Sequence, residues 1–141
     1  MRLCYNNVEL STDAMHLNDV PFLISVSHDF RCGTAGAVDN LKCHILESEL
    51  SNVVRCYRVR EFNVVLITVD IQFKSLKDRN KIGVKFNVVS KGEHAPIIER
   101  FHRLIEEQCR CYYAMLLFEY LPRQMVVGLM TTVMFYVNAF A

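Results

Sequence analysis

Glycine and proline are scarce in this sequence, five and three in 141 residues, while about half the residues are apolar. Together these exclude a disordered or low-complexity chain. Charge of either sign is not in excess: the formal net charge is +1. Unaided tight DNA binding over a broad basic surface is thereby excluded, though a small local basic groove is not. The six cysteines, at positions 4, 32, 43, 56, 109 and 111, include no Cys-x-x-Cys pair and have no closely spaced His pair beside them. A zinc site is therefore not expected. Reduced, mostly buried thiols are expected instead. The first residues lack the basic-then-apolar character of a signal peptide, so an intracellular location, nuclear or cytoplasmic, is expected. There are no internal repeats and no linker long enough to divide the chain, so residues 1–141 read as one domain able to bury a real core.

The longest stretch without charge is Met125–Ala141, seventeen residues that follow a second apolar run, Ala114–Leu121. Spanning a bilayer takes about 20 residues. Gly128, Thr131, Thr132 and Asn138 dilute the stretch, and Glu119 and Arg123 interrupt the longer run. A buried core helix is expected here, with a small membrane-associated protein using residues 125–141 as the alternative reading.

Hydrophobic periodicity gives the order of elements. Val8–Met15 alternates, with Val8, Leu10 and Ala14 on one side and Glu9, Ser11, Asp13 and Met15 on the other, as in a half-buried strand. His16–Asp19 supplies turn residues before a second strand, Phe22–Ser27, which predicts a β-hairpin. Arg31–Val38 reads as a third, edge strand. Asp39 is a reasonable N-cap for a helix over about Asn40–Tyr57, where Cys43, Leu46, Leu50, Val53 and Tyr57 recur at helical spacing. The unbroken β-branched run Phe62–Val69 predicts a strand covered on both faces, and such strands are typically parallel. Lys74–Lys81 reads as a charged connection and Ile82–Val89 as a strand. Helices are expected over Glu93–Tyr112 and, after the Leu121-Pro122 break, Arg123–Asn138. This order implies an α/β domain with a mixed sheet.

The stretch Lys91–Glu107 carries the strongest chemical signal. Pro96 suits a first helical turn, where its missing N–H costs nothing. Ile98, Phe101, Ile105 and Tyr112 fall on one stripe, and Glu99, His102, Arg103 and Glu106 share the opposite face. Asp70 follows directly on the Phe62–Val69 run, at the carboxyl end where ligands gather in open α/β sheets. Asp13 lies on the polar side of the first strand, and Glu99 enters from a helix. Read singly, Asp13 is an exposed strand residue, Asp70 ends a strand, and Glu99 is a first-turn carboxylate favoured by the helix dipole. Read together, three oxygen donors suit Mg²⁺ or Mn²⁺. Two such ions about 3.5–4 Å apart support phosphodiester chemistry.

The successions Asp13–Ser27, Val69–Phe73 and Gly92–Arg103, with the Glu-His-x-Pro-x-Ile-Glu-Arg pattern at 93–100 the most specific part, resemble the integrase catalytic core of copia-type retroelement polyproteins. Leu121–Met125 and Phe135–Phe140 resemble that family's tail, so the likeness covers nearly the whole chain. The resemblance implies a ribonuclease-H-like fold, with Asp13, Asp70 and Glu99 as the acidic triad that binds divalent metal for DNA strand transfer. It implies DNA as the partner, bound weakly by this chain alone, with Lys91, Arg100 and Arg103 as candidate nucleic-acid contacts. A second copy of the chain is a candidate partner, and no small-molecule cofactor is implied. Glu106 is an alternative third acid: thirty-five residues separate it from Asp70, the spacing usual among retroviral integrases, and it lies about 10 Å further along the helix than Glu99.

The sequence departs from the family in three places. Ile71 stands where the family has Gly or Asn, Glu106 where it has Lys, and Gln108 where Arg is common. A reversed charge at a DNA-facing position weakens phosphate contact. Neither a zinc-binding N-terminal module nor a C-terminal DNA-binding module is expected, which gives the reading of a decaying polyprotein fragment. The alternative function is accordingly a degenerate, non-catalytic integrase-like fold acting through dimerisation or weak nucleic-acid contact. The remaining signals are minor. The Glu99/His102 pair matches half of a di-iron motif that needs two such pairs. His16, His28 and His44 read as surface or turn residues, and His94 as a contact where the helix begins.

Overall fold

A computed structural model of the chain describes residues 7–79, 82–90, 96–117 and 119–140. Five strands form one mixed sheet: β1 (Asn7–Leu17), β2 (Val20–Ser27), β3 (Gly33–Ala37), β4 (Asn63–Asp70) and β5 (Lys85–Val89), in the order β3-β2-β1-β4-β5. β1, β2 and β3 pair antiparallel, and β1–β4 and β4–β5 pair parallel. The β1–β2 hairpin closes on Asn18 and Asp19, with φ of 48° and 64°. Positive φ at both central residues is the type I′ geometry that matches strand twist, and Asn and Asp tolerate it better than most side chains do.

Helices cover both faces. α1 (Cys43–Val59) and the short α2 (Lys74–Arg79) lie on one side; α3 (Pro96–Met115) and α4 (Arg123–Phe140) lie on the other. The first core joins Leu46, Leu50, Val53 and Val54 of α1 to Val8, Leu10 and Ile67 of the sheet. The second joins Ile98, Phe101 and Ile105 of α3 and Met130 and Val133 of α4 to Phe22, Ile24 and Val26 of β2. β2 is buried throughout because Leu23 faces the first core while its neighbours face the second.

Several expectations need correction. β1 is not half-buried: it is the central strand, Ser11 and Met15 on its polar side are buried on the α3 side of the sheet, and Thr12, on the opposite face, is buried as well. Alternation in sequence registered the polarity of that face but not the layer above it. Asp39 is not an N-cap. α1 begins at Cys43 after Lys42, which makes no side-chain cap; Asn40 Oδ1 accepts from the Lys42 N–H at 2.9 Å, and Asp39 instead pairs with Arg123 at 3.3 Å. The charged connection after β4 is a 3₁₀ turn, Ile71–Phe73, leading into α2, because Phe73 and Leu76 bury one side of it. α4 is not a fully buried helix. Val126, Met130, Val133 and Val137 face the sheet, but Phe135 is 69% exposed and Tyr136 43%. No described helix is long and apolar enough to cross a membrane. Nor are the thiols mostly buried: of the five described, only Cys109 is buried, and Cys32, Cys56 and Cys111 are exposed.

Candidate functional site

The sheet topology brings two of the three expected acids together. β1 runs parallel to β4 with Ser11 opposite Thr68. The β1–β4 pairing ends there, and Asp13 and Asp70 each lie two residues further along, on the same face of their strands as Ser11 and Thr68. Asp70 is the last residue of β4 and pairs with Val89 of β5 on its other side. Both acids line one narrow cleft of about 10 Å³, together with Ser11, Thr68 and Ile98. Such a volume admits about one water-sized body.

Backbone amides fix both carboxylates. Asp13 Oδ1 accepts from the Ala14 N–H at 2.8 Å, and Asp70 Oδ1 from the Ile71 N–H at 2.7 Å. The second bond caps the 3₁₀ turn after β4. Any non-proline residue supplies that N–H, so Ile71 in place of Gly or Asn leaves the contact intact. The other oxygen of Asp13 faces His102, Oδ2 to Nδ1 at 3.9 Å, with both side chains about one-fifth exposed. His102 lies one turn beyond Glu99 on the same face of α3. The polar stripe at offsets of three and four marked that face, but nothing in the sequence tied it to Asp13. Ser11, on the cleft wall, is held by His28: Oγ to Nε2 is 2.6 Å, with Glu9 3.7 Å from the other ring nitrogen.

Glu99 stands in the first turn of α3, exposed, and is not among the residues lining the cleft, although its neighbour Ile98 is. Glu106, the alternative, is exposed and 4.0 Å from Arg110; it borders a separate hollow shared with His16 and Asn18 near the hairpin turn. Among the described residues no group of three His, Cys, Asp or Glu side chains is close enough to hold a metal ion. Arg100 and Arg103 are exposed on α3. Lys91 and His94 lie outside the described residues.

The catalytic core domain of BIV integrase, known from a crystal structure, superposes on this chain with a TM-score of 0.65 at 12% identity, covering 94% of this chain and 84% of that one. The fold is that of an integrase catalytic core. No family model matches the sequence, and no curated protein does. In this ribonuclease-H-like arrangement a central parallel pair, β1 and β4, delivers two carboxylates to one side of the sheet. Carboxylate oxygens are the donor type that hard divalent cations such as Mg²⁺ and Mn²⁺ prefer.

Proposed function

We propose that this chain is an integrase-core-like domain of a copia-type retroelement, with Asp13, Asp70 and Glu99 holding Mg²⁺ or Mn²⁺ for DNA strand transfer inside the cell. The observation that carries the reading is the cleft shared by Asp13, within β1, and Asp70, at the end of the adjacent parallel strand β4. A divalent ion held there by these carboxylates would supply activation of a water and neutralisation of phosphodiester charge. The chain's own groups do the positioning. The Ala14 and Ile71 amides orient the two carboxylates, and His102 restrains the second oxygen of Asp13. Glu99 is the third acid of this reading, because it adjoins Ile98 at the cleft whereas Glu106 borders the hairpin turn. Arg100, Arg103 and Lys91 supply positive charge for the DNA backbone. A second copy of the chain is a further partner, for which the exposed Phe135 and Tyr136 of α4 offer an apolar face.

The test is a manganese-dependent nicking assay on supercoiled DNA with the purified chain, beside Asp70→Asn. Nicking by the parent and none by the variant supports the reading; equal nicking by both removes Asp70 from the chemistry. A second reading, a non-catalytic integrase-like fold, is favoured by the position of Glu99 outside the cleft lining. It predicts no nicking with any divalent ion.

A further inference from the structure

The first turn of α3 has two flanks, and only one faces the carboxylates. Ile98 lines the Asp13–Asp70 cleft. On the other flank Ile97, Arg100, Phe101 and Leu104 wall a groove of about 590 Å³, floored by Val26 of β2 and Val137 of α4. His28 and Arg31, from the turn after β2, form its rim. The groove falls in the range of about 300–1,000 Å³ typical of small-ligand sites. Its lining contains two guanidinium groups and an imidazole but no carboxylate. Among the described residues neither Arg31 nor Arg100 takes part in an ion pair, whereas Arg110 and Arg123 do.

The rim is built rather than incidental. Ser27 and Arg31–Cys32 are tied by Ser27 N–H to Cys32 O at 2.9 Å, Arg31 N–H to Ser27 O at 3.0 Å and Cys32 N–H to Ser27 Oγ at 3.0 Å. Arg31 sits at φ 53°, a conformation uncommon for a long side chain. The rim also touches the cleft, since His28 on the groove holds Ser11 on the cleft wall.

An apolar trough flanked by Arg31 and Arg100, neither in an ion pair among the described residues, matches an anion with a flat, poorly hydrated body. Guanidinium groups bind phosphate in a planar, two-pronged manner, and apolar side chains gain by covering a base face because apolar surface leaves water. We propose that this groove seats one unpaired nucleotide of a DNA strand, with its base over Ile97 and Leu104 and its phosphate against Arg31 and Arg100, beside the phosphodiester presented to Asp13 and Asp70. The assignment rests on the proposed function for the identity of the strand, but its flank of α3 is not the one that carries Glu99, His102 and Arg103.

The test is fluorescence anisotropy with a dye-labelled short oligothymidylate and an abasic oligonucleotide of equal length, at fixed low salt. The base-bearing strand should bind about tenfold more tightly than the abasic one, as covering one base face with apolar side chains allows. Leu104→Ser should erase that difference. Arg31→Glu and Arg100→Glu should each weaken both strands about tenfold, and Arg110→Glu, remote from the groove, should change neither. Melting curves of each variant confirm folding. Equal binding of the two strands, equal loss in Arg110→Glu, equal binding of a polyglutamate of the same charge, or no binding at all would overturn the assignment. Asp70→Asn separates the two readings. Retained base-dependent binding without any divalent-ion response in the parent chain leaves the groove standing and removes the metal chemistry.

Discussion

Gly33 shows how one residue fixes the packing on the α3–α4 side. A Cβ built there would run into the Phe101 ring and lie 2.8 Å from Met134 Cε. Its backbone is also gripped from α4: the Gly33 N–H donates to Asn138 Oδ1 at 2.8 Å, and Asn138 Nδ2 donates to Gly33 O at 2.9 Å. Gly33→Ala should therefore destabilise by about 1–3 kcal/mol through overpacking, read from urea denaturation. Asn138, which sequence analysis took only as a dilution of an apolar run, is the side chain that docks α4 onto the edge strand. Cys109 gives a second test. Burial, with the Glu106 carboxylate adding to it, pushes its thiol up from 9.0 to about 11. The unfolded chain then loses this proton before the folded chain does. The stabilisation is complete below pH 9, shrinks as pH rises, and is gone above about 11. A Cys109→Ala variant should lose less stability than the parent between pH 8 and 11, measured by urea midpoints at each pH. At the site itself, Asp70 was legible from its place after a β-branched run, and Asp13 from strand alternation. The Asp13–His102 and Ser11–His28 contacts were not, because partners 89 and 17 residues apart leave no periodic trace.

Among the elements, the hairpin and α3 were the clearest in sequence. Each combines a strong local signal with a matching tertiary role: turn residues at 18–19, and Pro96 before the Ile98, Phe101 and Ile105 stripe. Asp19→Gly should stabilise the hairpin by about 1 kcal/mol, since glycine removes the side-chain cost of the left-handed conformation; a thermal melt checks it. The elements read less well are those whose burial depends on distant chain. β1 looked one-sided because Ser11 and Asp13 on one face are polar, yet α3 packs over that face and buries Ser11. α4 looked wholly buried because its outward face carries Phe135 and Tyr136, and hydropathy does not distinguish an apolar residue turned to solvent from one turned inward. The start of α1 was misread because Asp39 forms an ion pair with Arg123, 84 residues away.

For the whole molecule, the mixed sheet order β3-β2-β1-β4-β5 is the decisive feature. It makes β1 both the partner of a hairpin and the parallel neighbour of β4, and so sets Asp13 and Asp70 on one side of one cleft. A divalent cation bound between two carboxylates would add an attraction that neither carboxylate alone supplies. The central claim is therefore open to a direct measurement: the melting temperature of the purified chain, with and without Mg²⁺ or Mn²⁺, beside Asp13→Asn and Asp70→Asn. An ion at about ten times its dissociation constant should stabilise the parent by about 1.4 kcal/mol, or about 4 °C. Neither variant should respond, and without metal Asp70→Asn should melt no lower than the parent. A parent chain whose melting temperature ignores both ions, or an Asp70→Asn variant that gains as much as the parent, would contradict the account.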